Sequence, residues 1–353
     1  MPTTREIAAA TGYSQATVSY ALSGHPKISA ATRKHIRTVA ESLGWRPNAF
    51  ASAYMAQLKA NRAPAFQATL AFLIANQNSG KLEDQSVHTQ RHFAGARTRA
   101  SELGYELEPV WLNEPGITAR RLNQILRSRN IPGLLIPGWK DRSEIFTSIE
   151  WERFAAVALS YALPTPNLHR VAIDSTHGFD LMLQKAIELG YRRVAVMVSD
   201  EYDARVNHGV LMPTFYARER WAPKGSVLVC RFARTHKDEI PRIQAWLRKH
   251  RPDAVLAEDV VWRAIEGMGW RVPQDVAFIS IDWAPEYPHF AGFNQHHELH
   301  GSVGIDMLVS QILQNQRGLP AIPRVVLVKG DWADGLSAPP KAQAAAIKCS
   351  AHL

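Results

Sequence analysis

Near the N-terminus, apolar residues recur at helical spacing in three short stretches. In the first, Arg5 to Thr11 turns Ile7 and Ala8 to one side, and Thr3 stands three residues before Glu6, the arrangement of a capping box. Gly12 turns the chain, Ser14 is placed to cap the second stretch, and Val18 and Leu22 point inward at i and i+4. The third starts at its cap Ser29, sets Ile36, Val39, Ala40 and Leu43 on one face and stops at Gly44, where a left-handed residue is cheap. Three such helices close one small core and leave Gln15, Ala16, Thr17, Ser19 and Tyr20 on the outer face of the second. This is the pattern of a helix-turn-helix; in a reader of duplex DNA, the N-terminal half of such a second helix is what meets base edges in the major groove.

From Phe66 onward the period changes. Short β-branched or apolar runs at Thr69 to Ile74, Pro109 to Leu112, Gly133 to Pro137, Ala155 to Leu159, Val171 to Ile173, Val194 to Val198, Ser226 to Cys230, Ala254 to Ala257, Val276 to Ile281 and Val325 to Val328 read as strands. Helical stretches lie between most of them: Phe93 to Leu103, Ala119 to Arg129, Phe179 to Leu189, Glu239 to His250 and Val303 to Gln316. Near-continuous apolar strands alternating with helices predict parallel sheets covered on both faces. That pattern runs longer than one core usually holds, so it predicts two similar lobes. The fold class expected is therefore α/β behind an all-α head.

Charge sharpens the reading of the head. Residues 1–62 carry eight Lys or Arg against Glu6 and Glu41, so +6 of the net +9 of this 353-residue chain sits in under a fifth of its length. Phosphate neutralisation needs such a local excess. Cys230 and Cys349 are too few and too far apart for a disulfide framework, which suits a reducing cytoplasm. The N-terminus is polar and no apolar run approaches the roughly 18 residues of a membrane span, so neither a signal peptide nor a membrane is expected. Residues 338–353, rich in Ala, Pro and Lys, read as a disordered tail.

Residues 3–50 resemble the DNA-binding head of the lactose/purine repressor family of bacterial regulators. The resemblance rests on Ala-Thr-Val-Ser at 16–19, Leu-Ser-Gly at 22–24, Ser29, Thr32-Arg33 and Leu-Gly-Trp-Arg-Pro-Asn-Ala at 43–49. It implies that Gln15, Ala16 and Tyr20 read bases, with Ser14, Thr17, Ser19, His25 and Ser29 nearer to phosphates. Tyr20 stands where many relatives carry Arg or another polar reader. The family's hinge helix, which forms on DNA and wedges a leucine into the minor groove, would span residues 47–62, with Tyr54 at the wedge position and Met55 beside it; Ser52-Ala53 departs from the family's Arg-Ser. The organisation implied is a head at 1–46, a hinge at 47–62, and an effector-binding and dimerisation domain at 63–337.

That last domain also resembles the family, through Glu102-Leu103-Gly104-Tyr105, Ile131-Pro132-Gly133-Leu134-Leu135-Ile136, Ile173-Asp174, Glu188-Leu189-Gly190-Tyr191-Arg192-Arg193-Val194, Arg251-Pro252-Asp253-Ala254-Val255 and Val272-Pro273-Gln274-Asp275-Val276. The fold implied is two periplasmic-binding-protein-like lobes around a small effector, a sugar or related metabolite. Residue by residue, the resemblance carries effector contacts to Asn76, Asn78, Asp174, Arg205, Asp259 and Asp282, while Trp139, Trp262, Trp283 and Trp332 lie at or just after strand ends, where aromatic faces can stack on a sugar ring. The glycine expected three residues after Arg205 is His208, with Gly209 displaced by one. Residues 77–92 replace the family's usual short loop with a polar one. Gln295-His296-His297-Glu298-Leu299-His300 is no H-E-x-x-H, so its histidines read as surface or cap residues and no metal or cofactor is expected.

No G-x-G-x-x-G follows the first strand, and there is neither a P-loop nor a G-x-S-x-G elbow. The function expected is a sequence-specific, effector-modulated transcription regulator, a repressor and not an enzyme. It would bind a near-palindromic double-stranded operator as a homodimer. The alternative is a solute-binding protein or α/β enzyme carrying a basic N-terminal module.

Overall fold

The computed structural model describes residues 2–22, 28–45, 65–75, 80–112, 114, 116–138, 145–146, 148–163, 165–234 and 239–341. It divides into two compact units, Met1–Pro64 and Ala65–Leu353. In the first, α1 (Thr4–Thr11), α2 (Gln15–Leu22) and α3 (Ala30–Ser42) close over Ile7, Val18, Ala21, Ile36 and Ala40. The capping box forms: Thr3 Oγ1 accepts the Glu6 N–H at 3.3 Å and the Glu6 carboxylate accepts the Thr3 N–H at 2.6 Å. Ser14 and Ser29 cap the next two helices, each accepting the N–H three residues on at 3.1 Å, and Gly12 and Gly44 turn the chain at φ +73° and +83°. Leu43 departs from expectation at 45% exposed, because α3 stops at Ser42 and its cap residue leaves the buried stripe; Leu22 is only half-buried, and Ala21 takes the interior place.

The second unit holds two six-stranded sheets. In the first, β1 (Ala68–Ile74), β2 (Tyr105–Trp111), β3 (Gly133–Ile136), β4 (Ala155–Leu159), β5 (His169–Ile173) and β11 (Val325–Val328) run parallel in the order β11-β5-β4-β3-β1-β2. The second takes the order β12-β10-β9-β8-β6-β7 from β6 (Val194–Ser199), β7 (Val227–Phe232), β8 (Ala254–Ala257), β9 (Ala277–Trp283), β10 (Ala291–Asn294) and β12 (Asp331–Ala333), with β12 alone antiparallel. Apolar clusters lie on both faces of each sheet, so β3, β4, β5 and β8 are buried from end to end. That double cover is why these strands read as unbroken apolar runs.

Helices α4 (Val87–Glu102), α5 (Ala119–Ser128) and α11 (His297–Leu313) cover the first sheet. The second is covered by α6 (Ser175–Glu188), α8 (Leu211–Arg220), α9 (Glu239–His250) and α10 (Asp259–Gly267), with the short α7 (Asp200–Arg205) behind β6. The chain changes lobe after β5, after β10 and after β11. Thus α11 leaves the second sheet at β10 yet packs on α4 and on β3, β4 and β5 of the first lobe.

The α4–α11 contact is made backbone to backbone. A Cβ at Gly95 would stand 2.0 Å from the carbonyl oxygen of Glu298, and one at Gly301 would stand 2.0 Å from that of His92. Two ion pairs flank the crossing: Arg91 grips the Glu298 carboxylate with Nε at 2.6 Å and Nη2 at 2.9 Å, and Arg99 Nε meets Asp306 at 2.7 Å.

Several expectations change at this contact. Residues 87–92 are helix rather than the end of a polar loop, and α11 begins at His297 rather than Val303. Both first turns carry His, Arg and Glu toward one another, so no apolar period marks them, and the glycines further lower helix propensity. The histidine reading is corrected too: His296 is the cap residue of α11, but His297 and His300 are buried. The expected tail start at 338 also moves, since Ala338 is buried, Tyr191 Oη donates to the Pro339 carbonyl at 2.7 Å and Lys341 pairs with Asp253. Strands β10 and β12 and helices α7, α8 and α10 complete the expected pattern; each is short or lacks a long apolar run. Among the described residues no helix is long and apolar enough to cross a membrane.

Gly301→Ala should therefore destabilise the second unit by about 2 kcal/mol or more, because the obstacle is a carbonyl oxygen that moves only if the helices separate. Gly80→Ala, whose Cβ would meet nothing closer than 3.7 Å, should stay within about 0.5 kcal/mol. Urea unfolding of both variants checks this, and equal midpoints would contradict the close crossing.

Candidate DNA-reading helix and effector cleft

On α2 the residues left outside the head core are polar or small. Gln15, Ala16, Ser19 and Tyr20 are exposed and Thr17 is half-buried, with Tyr20 at 47%. Gln15 Nε2 donates to Thr4 Oγ1 at 3.0 Å, and the hydroxyls of Ser14 and Thr17 share a hydrogen bond of 2.8 Å. These side chains are thus held by short local contacts while their outer atoms face solvent. Ser29 is exposed at the start of α3, whose Lys34 and Arg37 are also exposed, whereas Arg33 is half-buried and donates from Nη2 to the Ile28 carbonyl at 3.2 Å. His25, Tyr54 and Met55 lie outside the described residues.

In the second unit a cavity of about 690 Å³ opens at the carboxyl ends of the second sheet and is closed from the first lobe by Ser86, Val87 and His88 at the start of α4. Parallel strands make this geometry. All of them end on one side, and the loops and helix starts that follow carry polar groups over an apolar floor. Tyr202 and Arg205 come from α7 after β6, Arg234 from the segment after β7, and Glu258, Asp259 and Trp262 from the start of α10 after β8; Asp282 and Trp283 end β9. Tyr287, His289 and Phe290 complete the wall.

The polar groups of the wall are tied down. Burial pushes the Tyr202 phenol well above its ordinary pKa; its oxygen accepts from Gln295 Nε2 at 3.1 Å, and the Arg205 guanidinium lies 4.9 Å from its ring centre. The buried Glu258 carboxylate accepts the Ser199 N–H at 2.6 Å, and its other oxygen is 2.7 Å from Arg234 Nη2 at angles short of a hydrogen bond. Asp259 is exposed and paired with Arg234 at 3.0 Å. Among the described residues the buried indole N–H of Trp283 has no acceptor.

Asp282 joins the cavity to the α4–α11 contact. One carboxylate oxygen is 2.7 Å from His297 Nε2 and the other 3.2 Å from His88 Nε2. Burial opposes its charge, but these imidazoles and Arg205 hold its pKa at about 2. Beyond it, His297 Nδ1 lies 3.1 Å from His92 Nε2, and the His92 ring stacks on that of His300 at 5.6 Å between centres. Burial drives His300 down to about 3, His92 well below the ordinary histidine range, and His88 in the same direction.

Of the expected effector residues, the structure brings Arg205, Asp259, Asp282 and Trp283 to one cavity. Asp174 lies outside its lining, where Oδ1 caps α6 by accepting the His177 N–H at 3.1 Å. Asn76, Asn78 and Trp139 lie outside the described residues. His208, standing at the expected glycine, has the left-handed φ of +61° that a glycine would take, and its ring is fixed 2.9 Å from the Asp203 carboxylate. His88, Tyr202, Arg234 and Glu258 were not singled out in the sequence. Position was their signal: all four fall within two residues of a strand end or helix start.

Residues 3–48 match the family described as bacterial regulatory proteins, lacI family, and residues 183–337 match the periplasmic binding protein-like domain. The HTH-type transcriptional regulator CelR of Thermobifida fusca is 24% identical over 330 residues, which span 88% of this chain and 92% of that protein. PtxS of Pseudomonas plecoglossicida, also an HTH-type transcriptional regulator, is 26% identical over 301 residues, 82% of each chain. Among solved structures, a complex of the regulator CelR with cellobiose superposes with a TM-score of 0.60 at 22% identity, covering 96% of this chain and all of that one. The lac repressor dimer bound to operator and the anti-inducer ONPF gives 0.56 at 17% identity, over 95% and 98% of the two chains. The helix-turn-helix at residues 3–48 belongs to the lacI family of bacterial regulatory proteins, the domain behind it is periplasmic-binding-protein-like, and the chain is similar to HTH-type transcriptional regulators over most of its length.

Proposed function

We propose that this regulator is a cytoplasmic repressor that binds a near-palindromic operator as a homodimer and changes its operator affinity when a sugar or related hydroxylated metabolite enters the cleft. The observation that carries the DNA-reading half is the exposed row Gln15, Ala16, Ser19 and Tyr20 on a helix whose other side is locked by Val18 and Ala21. Ser14, Thr17, Ser19, His25 and Ser29 are assigned to phosphates, and residues 47–62 to a hinge whose Tyr54 or Met55 enters the minor groove. The effector half is supported by a cavity of about 690 Å³ in which Trp262 and Trp283 supply flat apolar faces and Arg205, Asp259 and Asp282 supply charged hydrogen-bonding groups. CelR has been solved with cellobiose, which fits a carbohydrate class of ligand here. For the dimer, Val325, Val326 and Leu327 leave an apolar edge strand exposed, with Leu319 and Ile322 just before it.

Operator binding should weaken steeply with salt, since each phosphate neutralised adds about 0.9 to the slope of log K against log salt. Tyr20→Ala should relax preference at particular operator positions, at about 1–3 kcal/mol each, whereas Lys34→Ala should weaken all sequences alike. Site selection from randomised DNA reads both, and an unchanged motif for Tyr20→Ala would remove it from the reading face. In a thermal-shift screen of mono- and disaccharides, the ligand that stabilises the wild type should bind Arg205→Ala and Trp262→Ala at least about tenfold more weakly, ~1.4 kcal/mol. If both variants kept wild-type affinity, the effector site would lie elsewhere. Sedimentation of the full chain should give a dimer that Leu327→Glu weakens at least about tenfold, by burying a charge at the joint. A wild-type monomer at tens of micromolar would argue against two-headed binding.

A further inference from the structure

Four histidines meet where α4 crosses α11: His88 and His92 at i and i+4 on the first helix, His297 and His300 at i and i+3 on the second. We propose that His92, His297 and His300 form a binding site for a divalent transition metal of the zinc class. The three side chains offer nitrogen atoms that all lie within 4.8 Å of one another. His92 Nε2 and His297 Nδ1 are 3.1 Å apart, against the roughly 3.3 Å that two Zn–N bonds of about 2.05 Å span at a tetrahedral angle.

The hydrogen bonding around the site prepares the ligand atoms. Asp282 is a carboxylate and only accepts, so His297 must carry its proton on Nε2, the atom 2.7 Å from Asp282. That choice of tautomer turns a lone pair on Nδ1 toward His92. A carboxylate holding the remote nitrogen of a ligating histidine is the recurrent outer contact of zinc sites, fixing ring orientation and raising ligand basicity. His300 supplies an independent sign: its Nε2 is buried and has no hydrogen-bond partner among the described residues, a group that ordinarily finds one. Imidazole nitrogen with a carboxylate behind it suits Zn2+, Co2+ or Ni2+ rather than Mg2+ or Ca2+. Three protein ligands leave a fourth position for water or a donor atom of a small molecule.

Position gives the site a consequence. The three ligands belong to helices of the first lobe, whereas Asp282 ends β9 of the second. A bound metal would fix the His297 ring and, through it, the carboxylate that reaches across beside the cleft. The same atoms allow a competing triad of His88, Asp282 and His297, also within 4.8 Å of one another, in which Asp282 would be a direct ligand. Both His300 and His88 carry a buried, partnerless nitrogen, but His88 already meets Asp282 through Nε2, whereas His300 Nε2 has no such engagement among the described residues, which favours the all-histidine set.

The test is independent of DNA and of the effector. Full-length protein stripped with chelator and dialysed is titrated with Zn2+ against a chromophoric competitor, and with Co2+ while its visible absorption is recorded. One Zn2+ per chain is expected, with the strong visible bands of low-coordinate Co2+. His92→Gln and His300→Gln should each lower affinity at least about 100-fold, and Asp282→Asn about tenfold as an outer contact. His88→Gln, and His177→Gln at an exposed position, should stay within about threefold. Absence of stoichiometric binding overturns the proposal, as does a loss for His88→Gln as large as that for His300→Gln, which would move the metal to the competing triad. If a glutamine variant fails to fold by circular dichroism, X-ray absorption of the Zn-loaded wild type decides: three imidazole ligands support the site, and two or fewer overturn it.

Discussion

The cleft of this protein depends on how closely α4 approaches α11. Helices in contact usually stand about 8–10 Å apart because side chains fill the space between them. Gly95 and Gly301 remove that filling, so each helix lays its backbone against a carbonyl of the other, and a single methyl group at either position would force them apart. The contact brings polar first turns together: Arg91 reaches Glu298, and His92 reaches His297 and His300. Because α11 issues from a strand of the second sheet but packs on the first, this contact also straps one lobe to the other.

The second organising fact is the direction of the strands. Five of the six strands in the second sheet run the same way, so the ends of β6, β7, β8 and β9 deliver Tyr202, Arg234, Glu258 and Asp282 to one place. Burial then decides how each group behaves. Glu258 survives as a buried carboxylate because Ser199 donates to it and Arg234 stands beside it. Asp282 stays ionised because two imidazoles converge on it, and it thereby becomes the link between the cavity and the histidines behind it.

Much of the fold is legible without coordinates. The caps at Thr3, Ser14 and Ser29 and the turns at Gly12 and Gly44 are local signals, in which a side chain bonds backbone within three residues or a glycine relieves a steric clash. The doubly covered strands are legible because both of their faces must be apolar. The starts of α4 and α11 are not. Their first turns are stabilised by partners about two hundred positions away, Arg91 by Glu298 and His92 by His297, and nothing in the local period records that. The same distance hid His88 and His92, which read as part of a polar loop, and made His297 and His300 look like surface residues.

By itself, then, the sequence determined a basic three-helix head with a polar outer face on its second helix, an α/β body of two parallel sheets, and four of the residues that meet in the cleft: Arg205, Asp259, Asp282 and Trp283. These follow from short-range periodicity, local charge and family spacing, all of which act along the chain. Only the tertiary structure decided that Asp174 serves a helix cap, that Glu258 is the buried member of its acidic pair, and that four histidines from two helices converge behind Asp282. The physical reason is that burial and pairing are properties of positions in space. They arise where backbone comes close enough to backbone, and here two glycines allow that approach.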